Sequence, residues 1–199
     1  MEKLELRMYG FVPYNISEIQ KGIQFGHTVV EYGLENHLDN DYLNWAKYNK
    51  TFIILNGGTS NHSVDRYREE AFNKGWREDE TYIGSMETIK TTLEENGVKI
   101  ATFYEPDLND MLSGICFIVD ERVFSRKYLN LGDWVVENYG ELIMDNYGGG
   151  LNIKKLEKQI KYSELPKEQK IYQKWVEYIG GEKNVFLKEF LAPNKFGLA

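Results

Sequence analysis

The sequence predicts an α/β fold, a small mixed sheet of about four strands with flanking helices, followed by a helical C-terminal appendage. Three observations carry this. Residues 3 to 120 run in the order strand, helix, strand, helix, strand, strand. Beyond Arg122 the apolar periodicity becomes helical. Between the two rear stretches lies Gly148-Gly149-Gly150, which marks a hinge over residues 145 to 152. The expected division is 1–124 for the α/β domain and 125–199 for the helical extension.

The opening strand rests on Leu4, Leu6, Met8 and Gly10 alternating with Glu5, Arg7 and Tyr9, and it stops at Pro13. Asn15-x-x-Glu18 is a capping-type start for a helix in which Ile19, Ile23, Gly26, Val30 and Leu34 recur at steps of four, three, four and four. That is an amphipathic helix, with the small Gly26 set for close backbone approach. A second short helix is expected over Asp41 to Tyr48. Thr51 to Asn56 reads as a buried strand ending in the Gly57-Gly58-Thr59 turn. Residues 60 to 82 read as a long polar loop or insertion, with Val64 to Lys74 as a turn or two of helix. Ser85 starts a helix through Met86, Ile89 and Leu93 that ends at Asn96-Gly97. Strands over Val98 to Tyr104 and Ile115 to Val119 flank the polar turn from Glu105 to Asp110. In the rear, helices are expected over Asp133 to Met144, Lys167 to Ile179 and Glu182 to Leu191.

Composition bounds the function classes. With 199 residues, 23.3 kDa, 42% hydrophobic and 14% aromatic content, the chain has material for a packed core, which excludes wholesale disorder. No apolar run approaches the roughly 20 residues that cross a bilayer, so no membrane association and a cytoplasmic location are expected. The lone Cys116, in the apolar run GICFIV, reads as a buried thiol. Net charge is −7, unevenly spread: residues 1 to 120 hold 11 Lys+Arg against 20 Asp+Glu, and residues 121 to 199 hold 13 against 11. The lysine-rich segment 154 to 174 reads first as a solvated helical face. A polyanion would be repelled by the front half.

On the first helix Gln20, Gln24, His27 and Glu31 fall at i, i+4, i+7 and i+11, a polar stripe bordering the apolar one. A histidine held by a carboxylate acts as a general base toward water, whereas a half-buried histidine bonded to a carbonyl is only structural. Glu105, Asp107 and Asp110, with Asn109 between them, suit a water-activating or ribose-binding cluster, and equally suit a tight turn. With His27 these oxygens could hold a metal, but at irregular spacing they are a weak signal, and no metal or cofactor is expected. Gly57-Gly58-Thr59 lacks the lysine of a P-loop, but its amides suit a single phosphate. His37 and His62 read as surface residues. Tyr14, Phe25, Trp76 and Tyr104 are the aromatics considered for base stacking, with core packing their default role.

The Gln24-Phe25-Gly26-His27 segment on a glycine-containing helix, followed by strand, helix, strand, an acidic turn and an apolar strand, resembles the type 2 peptidyl-tRNA hydrolase family. The runs PYNISEIQKGIQFGHTVVEY, ILNGGTSN and FYEPDLNDMLSGICFIVDERVF resemble an uncharacterised phage-type branch of that fold. The resemblance covers about residues 3 to 120. It implies ester hydrolysis of peptidyl-tRNA, with His27 and Asp107 or Glu105 preparing water and Gln20, Lys21 and Gln24 positioning the tRNA 3′ end. The family's lysine seven residues before the histidine is Gln20 here, and its Arg, Thr and Gln of the acidic turn have no counterpart. The reading preferred over hydrolysis is a sequestering or inhibitory module that binds a nucleotide-like small ligand or a host protein in the same cleft. Homodimerisation is expected from the aromatic-rich rear.

Overall fold

The computed structural model describes residues 3–61, 84–144, 152–192 and 195–199, the side chains of 141–144 apart. The expected helix within 64 to 74, His62, Trp76 and the glycine hinge at 148 to 150 lie outside the described residues. Contacts gather the chain into two compact units, residues 1–120 with 190–199, and residues 121–189. Among the described residues no helix is long and apolar enough to cross a membrane.

The first unit runs β1 (Leu6–Val12), α1 (Glu18–Asn36), a short α2 (Asn40–Asn44) continued by a π-helical turn (Trp45–Asn49), β2 (Thr51–Asn56), α3 (Ser85–Glu95), β3 (Ala101–Glu105), a 3-10 turn (Pro106–Leu108) and β4 (Met111–Asp120). The sheet order is β2-β1-β4-β3. β1 pairs parallel with β2 and antiparallel with β4, which pairs antiparallel with β3. This is the mixed four-stranded sheet with flanking helices that the sequence predicts. β4 is buried along nearly its whole length, as its continuous apolar run requires of a central strand. β2 is not the buried strand expected from its composition. It lies at an edge with Phe52 exposed, and the chain end covers its outer side through Asn56 N–H to the Gly197 carbonyl (2.9 Å) and Ala199 N–H to the Ile54 carbonyl (3.1 Å).

Alternation along β1 divides the two faces. Met8 and Val12 pack with Phe25, Tyr32, Trp45 and Cys116 in one core cluster beneath α1. On the opposite face Phe11 stacks on Phe117 at 6.3 Å and meets the edge of Phe196 at 4.8 Å. A Cβ at Gly57, the residue after β2, would strike Met86 of α3 as well as Phe11, which puts α3 on that second face.

α1 is rotated relative to its sequence pattern. Its buried residues are Gln24, Phe25, Thr28, Tyr32 and Asn36, while Ile19, Ile23, Val30 and Leu34 are exposed and Gly26 opens onto empty space. The reason lies in the sheet. Gly10 and Gly114 leave gaps that the Phe25 ring and Thr28 fill, since a Cβ at either glycine would collide with those side chains. The cap also differs from Asn15-x-x-Glu18. Ser17 is the N-cap of a capping box, its hydroxyl accepting from Gln20 N–H at 3.3 Å while Ser17 N–H donates to the Gln20 side chain at 3.1 Å.

The second unit runs α4 (Glu121–Phe124), α5 (Leu131–Met144), α6 (Ile153–Lys161), α7 (Pro166–Ile179) and α8, which spans Glu182–Phe190 and ends where the chain rejoins the sheet unit. Leu131, Trp134, Val135, Leu156, Ile160, Trp175, Val176 and Ile179 form its core. Lys154, Lys155 and Lys158 of α6 are exposed, as the polar face of a surface helix requires, while Lys161 is half-buried and pairs with Glu189.

Candidate functional site

The sequence-predicted residues fall in two places. β2 and β3 are opposite edges of the sheet with two strands between them, a separation of roughly 14 Å at normal strand spacing. The glycine turn after β2 and the acidic turn after β3 therefore do not line one cleft.

At the β3 edge, α1 and the acidic turn do meet. Gln24 Nε2 donates to Glu105 at 2.5 Å, and the Ser113 hydroxyl donates to Gln24 Oε1 at 2.8 Å. Gln24 is buried, so both ends of its amide are committed inside the protein. Glu105 also accepts from Asp107 N–H at 3.3 Å and caps the 3-10 turn. His27, one turn along α1, is exposed and lies edge-on against the Phe103 ring at 4.6 Å. It has no hydrogen-bond partner among the described residues, so nothing orients it as a base. Asp107 and Asp110 face solvent, and Asn109 and Asp110 take left-handed backbone angles (φ 55° and 57°). Asn and Asp tolerate that region best, so the turn geometry accounts for both residues. Gln20 is spent in the capping box, and Lys21 pairs with Glu18 at 2.9 Å. Among the described residues no cluster of three His, Cys, Asp or Glu side chains forms a metal site.

At the β2 edge lies a cleft of about 640 Å³, lined by Asn56 and the Gly57-Gly58-Thr59 turn, by Ser85, Thr88, Ile89 and Thr92 of α3, and by Phe190, Lys195, Phe196 and Gly197 from the returning chain end. It sits beyond the carboxyl end of β2, the usual place for ligands in open α/β sheets. The turn is rigid. Gly57 N–H donates to the Val12 carbonyl, Gly58 N–H to Asn56 Oδ1 and Thr59 N–H to Ser85 Oγ, at 2.9, 2.8 and 2.8 Å. The three amides expected to hold a phosphate are thus consumed, and the Thr59 carbonyl takes the Met86 N–H at the start of α3. An anion nest is absent from this turn.

The cleft instead offers acceptors, a cation and rings. The Thr88 and Thr92 hydroxyls donate back along α3, to the Gly84 and Thr88 carbonyls at 3.1 and 2.7 Å, which leaves their lone pairs for ligand donors. Asn56 keeps its Nδ2 as a donor, and Lys195 is the cation among the lining residues. Phe190 and Phe196 stand 5.2 Å apart beside Ile89 and supply the apolar part. Ser85, Thr88 and Thr92 were readable as a hydroxyl stripe at i, i+3 and i+7 bordering the apolar Met86, Ile89 and Leu93. Nothing in the sequence brings Lys195 and Phe196 to them. The burial of Cys116 pushes its thiol well above the ordinary value, which removes it as a nucleophile.

No protein-family model matches the chain, and no curated protein matches it. The peptidyl-tRNA hydrolase resemblance rests on the residues quoted for it.

Proposed function

We propose that the protein is a binding module that takes a nucleotide-like small ligand in the cleft between the Gly57-Gly58-Thr59 turn, α3 and the chain end. The observation that carries this reading is the lining itself. A ring packs against Phe190, Phe196 and Ile89, sugar hydroxyls donate to Thr88 and Thr92, and Lys195 meets a single phosphate. With the turn's amides occupied, a triphosphate has no cradle, so the fitting ligands carry one phosphate or a cyclic one. Binding is favoured over hydrolysis because a general base needs a partner that orients it, and Glu105, the acidic-turn carboxylate that meets α1, is held by Gln24 rather than by His27.

The test is a thermal-shift and calorimetry panel of nucleosides, mononucleotides, cyclic nucleotides and ADP-ribose. A ligand at 100 times its Kd stabilises by about 2.7 kcal/mol, and Lys195→Glu together with Thr92→Val should remove most of that rise without lowering the melting point of the free protein. No shift across the panel rejects the reading. Release of peptide from peptidyl-tRNA above a blank, lost in His27→Ala, would replace it with the hydrolase.

A further inference from the structure

The face of α1 turned away from the sheet carries the pattern of an interface. Ile19, Ile23, Val30 and Leu34 are 78%, 48%, 60% and 65% exposed. At 100° per residue they fall with Gly26 in a stripe about 80° wide, on the side opposite the buried Phe25, Thr28 and Tyr32. No charged residue lies within the stripe. An amphipathic helix with its apolar stripe in water and a buried glutamine beneath it has spent apolar residues where the sheet gains nothing from them.

The spacing of the stripe selects its occupant. Ile19 and Leu34, and likewise Ile23 and Val30, have residue numbers that sum to 53, so the pattern is symmetric about the helix midpoint beside Gly26. We infer that α1 packs antiparallel on α1 of a second copy, across a two-fold axis at Gly26, with Ile19 against Leu34 and Ile23 against Val30. An isologous contact requires such a self-complementary patch. A Cβ at Gly22 or Gly26 would meet nothing, which leaves room for a second backbone at the crossing. Antiparallel packing also aligns the two helix dipoles favourably. Tyr14 and Leu38, 51% and 81% exposed, lie just outside the two ends of the helix, where the same pairing brings them together. The four stripe residues expose roughly 500 Å² per copy, and with Tyr14, Leu38 and the polar rim the contact reaches the scale of about 800 Å² per partner found in stable dimers.

Sedimentation equilibrium of the full chain tests this. The expected mass is twice 23.3 kDa. Ile23→Glu and Val30→Glu should each raise the dimer dissociation constant by about 100-fold or more while circular dichroism stays unchanged, because neither side chain is in the core. The milder pair Ile23→Ala and Val30→Ala should act in the same direction if a glutamate disturbs the helix. Ile23→Cys combined with Val30→Cys should oxidise to a linked dimer, and Ile23→Cys alone should not. A monomer at about 100 µM, a concentration that would populate even a micromolar dimer, overturns the inference and leaves the face to a different partner. A dimer unmoved by the glutamate or alanine variants, or one linked by Ile23→Cys alone, overturns the pairing.

Discussion

Gln24→Leu tests what holds the acidic turn to α1. Leucine has a similar volume and keeps the contacts with the helix, so the loss is confined to the amide. Two bonds go: the one from Nε2 to Glu105 at 2.5 Å and the one accepted from the Ser113 hydroxyl at 2.8 Å. They do not weigh equally. Ser113 retains the Phe103 carbonyl as an acceptor at 3.2 Å, so its hydroxyl is not orphaned. Glu105 retains the Asp107 N–H on one oxygen, but the oxygen facing Gln24 then lies against leucine. A bond to a charged group contributes about 1.5–3 kcal/mol and a neutral one about 1, with the Ser113 fallback cutting the second, so the expected cost is about 2–3 kcal/mol. For a chain of this length that lowers Tm by roughly 4–12 °C. Urea titration gives the free energy, and a cycle with Glu105→Leu isolates the pair. A coupling of at least about 1 kcal/mol is expected, because removing both polar partners is less costly than removing one. A loss under about 0.5 kcal/mol, with no coupling, would refute the role given to Gln24 as the tie between α1 and the acidic turn.

Two further outcomes follow from the same coordinates. Gly10→Ala sets a methyl against the Phe25 ring and 2.6 Å from the Ile115 carbonyl oxygen. Backbone cannot swing aside, so a loss of about 2 kcal/mol or more is expected in denaturant titration, and a neutral effect would mean that α1 does not seat on that gap. Asp39 caps α2 through the N–H groups of Asp41 and Tyr42 and pairs with Lys99. The Lys99 hydrogen bond, opposed by burial and helped by the two amides, holds its carboxyl below the ordinary value. Its stabilisation is therefore complete above the unfolded value of about 3.9 and is lost as pH falls through the lower folded value. For so exposed a pair the size is at most about 1 kcal/mol. Asp39→Asn should flatten that part of the acid limb, and an unchanged limb would count against the pair.

Within the candidate site, legibility varied by residue. Gln24 was marked by its place on α1, and the structure brings it to Glu105, but as a buried tie rather than a ligand group. Gly57, Gly58 and Thr59 were marked by their position after a strand and do line the cleft, although their amides are used internally. That consumption cannot be read from three letters, since it depends on Val12 and Ser85 arriving from elsewhere. His27 carries the strongest chemistry of any residue marked, yet its ring meets Phe103 and no carboxylate. Thr88 and Thr92 are legible on α3 but carry no distinguishing signal, because threonines on an exposed helix face are common. Lys195 and Phe196 were out of reach, since only the antiparallel return of the chain end along β2 brings them to the cleft.

For the molecule as a whole, local patterns determined that β1, β4, α1 and α3 exist, and they determined the inner face of α3. A period of two or 3.6 along a continuous segment is a property of that segment, and Met86, Ile89 and Leu93 leave one apolar side to choose. α1 has two sides able to pack, one of aliphatic residues and one of Phe25, Thr28 and Tyr32. The choice between them belonged to the sheet, whose gaps at Gly10 and Gly114 fit a ring and a threonine and supply Ser113 and Glu105 to a buried amide. Periodicity shows that a helix has a face to bury. Shape and polar partners on the opposing surface decide which face it is.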